Sequence, residues 1–370
     1  MKSNQQADTY AIDSHKLIYH PVRTAEVLQA AGSWEKSQKV YPLYMEISPI
    51  GVCNHRCLFC AVDYIGYNTE RLPLALFQER LPEMARLGVK SVMFAGEGEP
   101  LLHKDMGEIL QVAHKAGLDS ALTTNATILP PGFIEKGLPA LSWIKISING
   151  GTPEGYQNIH RSKAGDFEKV IQNMKTMVDS KRARNLDCTL GAQALLLPDN
   201  ADQMARLVEI CRDEVGLDYL VIKPYSQHLF SETKRYETID YEAFLSLGES
   251  LSQMGKPGFS VIFRGKTMQK YSESDRYDHC YATPFLWGYI MANGIVSGCS
   301  AYLLDERFEY GNLKEQGFQE IWEGERRRKG WQFIQKELDI QNCRKNCRMD
   351  EINRYLHTIS TGSVPHLNFI

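Results

Sequence analysis

From Tyr44 onward, β-like runs alternate with amphipathic stretches, and this alternation constrains the fold of the 370-residue chain more than any other feature. Strand-like runs start near Tyr44, Lys90, Asp119, Trp143, Cys188 and Asp218. Helix-like segments such as Pro73–Leu87, Asp105–Ala116 and Phe167–Asp179 lie between them. In the first of these, Phe77, Leu81, Met84 and Leu87 recur three to four positions apart, which is the spacing of one helix face. Strands separated by helices pair in parallel through right-handed crossovers, so the expected class is α/β. In folds of this kind, chemistry gathers at the C-terminal strand ends.

Cysteines stand at such an end. Directly after the first strand comes Cys53-x3-Cys57-x2-Cys60, three of nine cysteines within eight residues. Thiolates this close on one loop can grip a single soft metal centre, zinc or an iron–sulfur cluster. Three ligands are one short of a closed tetrahedral site. Half of a zinc site, or reduced thiols packed as small apolar groups, are the plainer readings. Against zinc, no second cysteine pair follows within the next hundred residues.

A second cysteine set lies near the C-terminus. Cys280, Gly294 and Cys299 follow a C-x13-G-x4-C pattern, succeeded by Tyr310-Gly311-Asn312, the helical Phe318–Trp322, and Cys343-x3-Cys347. The apolar runs around Asn293-Gly294 predict a β-hairpin with a type I′ turn. Four cysteines can hold a structural zinc or a fully ligated cluster. Cys188 and Cys211 stand alone in apolar surroundings and read as core thiols.

Composition narrows the class. With 43% apolar residues, 24% charged residues and a net charge of −3, nothing calls for nucleic acid as a partner. The first residues are polar with no apolar signal core, and no apolar run is long enough for a bilayer. Many cysteines without an export signal suit a reducing cytoplasm and metal or catalytic use.

The C-x3-C-x2-C triplet after a strand, with Phe59 before its last cysteine, resembles the signature of the radical S-adenosylmethionine (radical SAM) superfamily. Further motifs agree. Gly96-Glu97-Gly98-Glu99-Pro100 is similar to the family's Gly-Gly-Glu-Pro turn, Thr124-Asn125-Ala126 to its Thr-Asn-Gly turn, and Ser147-Ile-Asn149-Gly150 to its Ser-x-Asp-Gly pattern. The C-terminal cysteine order resembles the SPASM/twitch auxiliary domain, without the extra cysteines of its larger, two-cluster form.

The resemblance implies a partial (β/α)6 barrel over 41–230, after an N-terminal extension at 1–40. A helical linker at 231–276, a SPASM/twitch domain at 277–352 and a tail at 353–370 would follow. It implies one 4Fe–4S cluster held by Cys53, Cys57 and Cys60, whose open iron chelates SAM. An auxiliary 4Fe–4S cluster would be held by Cys280, Cys299, Cys343 and Cys347. Phe59, Gly98, Glu99, Pro100, Asn125, Ser147, Asn149, Arg161, Gln193 and Leu195 would surround SAM, with Asn149 replacing the usual acid and Ala126 the usual glycine.

The implied reaction is one-electron cleavage of SAM to a deoxyadenosyl radical, which takes a hydrogen atom from substrate. A flavodoxin- or ferredoxin-type protein would supply the electron. A fully ligated auxiliary cluster suits acceptance of the substrate's second electron. The single-auxiliary-cluster format is similar to a ring-alcohol dehydrogenase of aminoglycoside synthesis, so the expected substrate is a sugar-like or cyclitol small molecule. Lys223 and His228, after the sixth strand, are its candidate contacts or bases. Peptide or protein modification is the alternative, and a non-catalytic iron–sulfur or zinc protein the remote one. The chain ends without the terminal Gly-Gly of molybdenum-cofactor cyclases, which speaks against that reaction.

Overall fold

The structure is a computed structural model that describes residues 10–12, 14–270, 276–283, 285–362 and 364–369. Six strands follow the expected alternation: β1 (Tyr44–Ile47), β2 (Ser91–Phe94), β3 (Asp119–Thr124), β4 (Trp143–Ser147), β5 (Thr189–Leu196) and β6 (Tyr219–Pro224). Each pairs in parallel with the next. The helices Leu74–Arg86, Met106–Lys115 and Asp166–Arg184 fall where apolar periodicity predicts them.

Alternation along the strands sorts side chains into two sets. On β4, Ile144 and Ile146 join the main apolar core under the helices, while Trp143, Lys145 and Ser147 turn the other way, into the barrel chamber. Leu220 and Ile222 of β6 are likewise in that core, which leaves Lys223 to the chamber. At the N-terminal ends of the strands the chamber floor is apolar, with Tyr219, Val221 and Ile262 packed against Tyr10 and Ile12.

Two parallel strands extend the sheet beyond the expected six. The stretch 231–276, expected as a helical linker, contains β7 (Ser260–Phe263), paired in parallel with β6. The run lies beyond the regular strand–helix alternation that ends at β6, among helix-like and polar segments, so its short period-two pattern does not stand out. On the opposite edge β8 (Trp287–Ile290) pairs in parallel with β1, then turns into an antiparallel hairpin with β9 (Ile295–Ser297) and β10 (Glu309–Asn312). The cysteine-bearing C-terminal region therefore continues the barrel sheet and covers an edge that β1 would otherwise expose.

The hairpin turn differs from the expected type I′. Of the turn residues only Gly294 has positive φ (95°), and its N–H donates to Met291 O (2.9 Å). Type I′ needs positive φ at two positions, whereas a three-residue loop ending in one left-handed glycine needs it once. A Cβ at Gly294 would also lie 2.4 Å from Asn312 Oδ1, which ties this glycine to the Gly311-Asn312 pair.

The N-terminal extension packs mainly on the C-terminal region, where Leu17, Val27, Ala30 and Val40 share a core with Phe285, Trp287 and Trp331. Arg327, fully buried, fastens the two. It stacks on Trp322 and donates to Trp322 O (2.6 Å) and Ser37 O (3.1 Å).

Candidate active site

The cysteine loop leaves the C-terminal end of β1 and is held on three sides. Asn54 Nδ2 donates to Thr127 Oγ1 (2.7 Å), and Asn125 Nδ2 donates to Asn54 Oδ1 (2.8 Å). Leu58 N–H donates to Ile159 O (2.9 Å) and Glu99 N–H to Val52 O (2.9 Å). Gly98 sits so close that a Cβ there would lie 2.3 Å from Val52 O and 2.4 Å from Ile50 O. Only glycine allows this approach.

Cys53, Cys57 and Cys60 are free thiols. Burial, then the charges of Glu99 and Cys60, push Cys53 up to about 12. Cys57 is raised well above the usual thiol range, by burial and by Cys53 and Cys60. Thiols this close and this desolvated become thiolates only if a cation joins them, so the loop fits an iron–sulfur centre.

His160 stands against this loop. Its Nε2 accepts Asn149 N–H (3.1 Å), which leaves the ring proton on Nδ1, facing Cys57 Sγ at 3.4 Å. Burial lowers its pKa well below the imidazole range, so the ring is neutral. The donor atoms of His55, Cys57 and His160 lie within 4.8 Å of one another. With both His160 nitrogens engaged, that trio is poorly placed to ligate a separate ion, and Cys57 groups with Cys53 and Cys60.

The residues expected around SAM divide into two groups. Several tie strand ends together. Glu99 is buried, accepting Thr124 Oγ1 (2.5 Å) and Leu101 N–H (2.9 Å) on one oxygen and Asn125 N–H (2.7 Å) on the other. Pro100 opens the short turn that Glu99 caps. Asn149 Oδ1 accepts Leu195 N–H (2.6 Å), and its buried side chain faces His160. Ala126 keeps the left-handed backbone (φ 54°) that a glycine would supply.

Others remain open. Phe59 and Leu195 border an apolar cluster with Ile159, Leu197 and Tyr225. Ser147 and Gln193 meet at 3.4 Å on adjacent strands. Arg161 follows His160 in a left-handed conformation, exposed and without a carboxylate partner among the described residues.

Lys223 and His228 fare differently. Lys223 lies in the chamber beside Lys145, both depressed by burial first and by neighbouring cations second. His228 is buried, and both nitrogens are spent. Nε2 donates to Ser300 O (3.0 Å) and Nδ1 accepts Phe230 N–H (3.2 Å). With no free lone pair it is not placed as a base, and it ties the barrel rim to the loop after Cys299.

Chamber groups that the motifs did not flag are Lys145, Glu46, Arg348 and Glu97. Strand alternation alone could have pointed to Lys145, a cation between two core isoleucines. Glu97, buried, accepts Ala292 N–H (3.1 Å) from the hairpin, and burial raises its pKa to about 7.

In the C-terminal region Cys280, Cys299, Cys343 and Cys347 are free thiols that converge. Cys299 is raised by burial and by the other three, and Cys347 reaches about 12 from burial and Cys280. Tyr302 OH lies 3.3 Å from Cys343 Sγ, Ala301 N–H donates to Cys299 Sγ (3.4 Å), and Asn353 Nδ2 to Cys280 Sγ (3.6 Å). Asn353 belongs to the helix Asp350–Thr361, which crosses the expected boundary at 352/353. This donor set also fits a cluster. Cys188 and Cys211 are buried in the apolar core, as expected.

A Radical SAM superfamily model matches residues 47–211, and an iron-sulfur cluster-binding domain (SPASM) model matches 280–348. An AdoMet-dependent heme synthase of Methanosarcina barkeri is 24% identical over 73% of this chain and 79% of its own length. A GTP 3′,8-cyclase of Stenotrophomonas maltophilia is 37% identical over 54% of the chain, which spans 57% of the cyclase. Among solved structures, Streptococcus suis SuiB bound to precursor peptide SuiA aligns with TM-score 0.62 and 19% identity, covering 83% of this chain and 70% of SuiB. At that identity the likeness speaks for the fold alone. No helix among the described residues is long and apolar enough to cross a membrane. With SAM and iron–sulfur clusters as its cofactors, the chain is a member of the radical SAM superfamily with a C-terminal SPASM domain.

Proposed function

We propose that this enzyme oxidises a sugar-like small molecule, removing a hydrogen atom and then a second electron. The observation that carries this reading is the set of four converging cysteines, Cys280, Cys299, Cys343 and Cys347, which leaves no ligand position for substrate. When bound, SAM and its cluster supply one-electron cleavage and a hydrogen-atom acceptor, and the C-terminal cluster a sink for one electron.

The chain's own residues do the rest. Gly98, Asn125 and the helix end at His160 fix the cysteine loop. Phe59 and Leu195 offer an apolar wall for the adenine, Ser147 and Gln193 polar contacts for the ribose, and Arg161 a cation for the methionyl carboxylate. Lys223 contacts the substrate from the chamber wall. Tyr64 stacks on His228, followed by Phe230 and Tyr302, whose hydroxyl meets Cys343. This aromatic row spans from the first cysteine loop to the second cysteine set. Names of relatives also favour small molecules, including heme synthase, GTP cyclase and nucleotide dehydratase.

Deuterated sugar-like candidates, incubated anaerobically with SAM and reductant, test the reading. Deuterium is expected in deoxyadenosine, with a product two mass units lighter than its unlabelled substrate. Label transfer from a peptide, with none from small molecules, would overturn it.

A further inference from the structure

Lys145 and Lys223 have no carboxylate within ion-pair reach among the described residues, although both lie in a desolvated chamber. Strand alternation points them there, since Ile144 and Ile146, and likewise Leu220 and Ile222, occupy the opposite face. Lys145 also lies 5.1 Å from the Trp143 ring. Two arginines join them. Arg264 follows β7 directly, and Arg348 follows Cys347. Arg348 Nη2 meets Glu46 Oε2 (2.9 Å) and its Nη1 donates to Tyr44 OH (2.8 Å), both from the chamber face of β1. Its side chain remains 42% exposed, so it lines reachable space and is not packed into a core.

Cations therefore gather on one side of the chamber, where Glu46 is already engaged by Arg348 and the two lysines are left without a carboxylate partner among the described residues. Crowding like charges in a desolvated site costs stability, and such arrangements concentrate where a ligand of opposite charge binds.

We propose that the chamber takes an anionic substrate, whose carboxylate or phosphate group seats among Lys145, Lys223, Arg264 and Arg348. This rests on the reading of the chamber as the substrate site and narrows its substrate class. An amino-sugar cation is disfavoured by the same charges, whereas an acidic or phosphorylated sugar fits them.

The depressed lysines add a signature. Burial and neighbouring cations bring Lys145 down to about 8 and hold Lys223 well below the lysine range. An arriving anion favours the charged amine, so binding at pH 8 takes up protons.

The test uses the reconstituted holoenzyme with SAM. Inorganic pyrophosphate, succinate and neutral myo-inositol are titrated calorimetrically, in buffers of different ionisation enthalpy. At least one anion is expected to bind with net proton uptake, and the preferred one separates phosphate from carboxylate. Lys145→Met and Lys223→Met should each weaken that anion at least tenfold, with iron content unchanged. Their melting temperatures should not fall, because each removes a repelled charge. Absence of anion binding to the wild type, inositol binding as tightly, or undiminished anion affinity in both variants would overturn the proposal. So would variants that shift cluster potentials while leaving anion affinity intact, since the cations would then serve the clusters. Deoxyadenosine formation, measured in parallel, separates this outcome from failure of the radical reading.

Discussion

Single atoms decide how the cysteine loop is held. Gly98 lies against the carbonyls of Ile50 and Val52, so Gly98→Ala must push the loop away. We expect a loss of about 1–3 kcal/mol in the metal-free protein, read by urea unfolding, and markedly less iron after reconstitution. His160 acts on the same loop through its Nδ1 proton and Cys57. His160→Leu removes that donor, and a thiolate without it holds extra negative charge less well. The reduction potential of the adjacent cluster should fall, followed by redox titration. SAM cleavage should slow by about 10- to 100-fold. Cys53, Cys57 and Cys60 were legible from spacing alone. His160 was not, because it comes from a helix one hundred and three positions beyond Cys57. His228 misled for the complementary reason, since a polar residue at a strand end looks the same in sequence whether its nitrogens are free or spent.

Among the elements, the junction of barrel and hairpin depends on Glu97, which stretches from the β2 loop to Ala292 N–H. Its folded pKa, about 7, lies above the ordinary carboxyl value because burial disfavours the anion. The folded state therefore binds more protons than the unfolded state between about pH 4.5 and 7, and stability falls as pH rises through that window. Glu97→Gln should abolish this slope and stabilise the protein by up to about 3 kcal/mol at pH 8, measured by unfolding across pH. The six parallel strands and three main helices were readable because they recur in regular alternation along the chain. β7 and the β8–β1 pairing were not. The first stands outside that alternation, among helix-like and polar segments, and the second joins segments more than two hundred residues apart in sequence.

At the level of the whole molecule, the C-terminal region is wedded to the barrel through a shared sheet and the aromatic row from Tyr64 to Tyr302. Cys343→Ala should leave SAM cleavage measurable while substrate oxidation drops at least tenfold, the size expected when one essential electron step is lost. Undiminished turnover would remove the electron-sink role. The motifs revealed both cysteine sites, yet the cationic chamber between them stayed hidden. Lys145, Lys223, Arg264 and Arg348 come from four distant segments, and only folding brings their charges together.

This chain is expected to cleave SAM at a three-cysteine cluster and to carry a second, four-cysteine cluster. Anaerobic reconstitution with iron and sulfide, followed by dithionite and SAM, tests this most directly. We expect about eight irons per chain, deoxyadenosine formation, and loss of that product in Cys53→Ala with roughly half the iron retained. Zinc in place of iron, or a fully loaded protein that forms no deoxyadenosine, would contradict it.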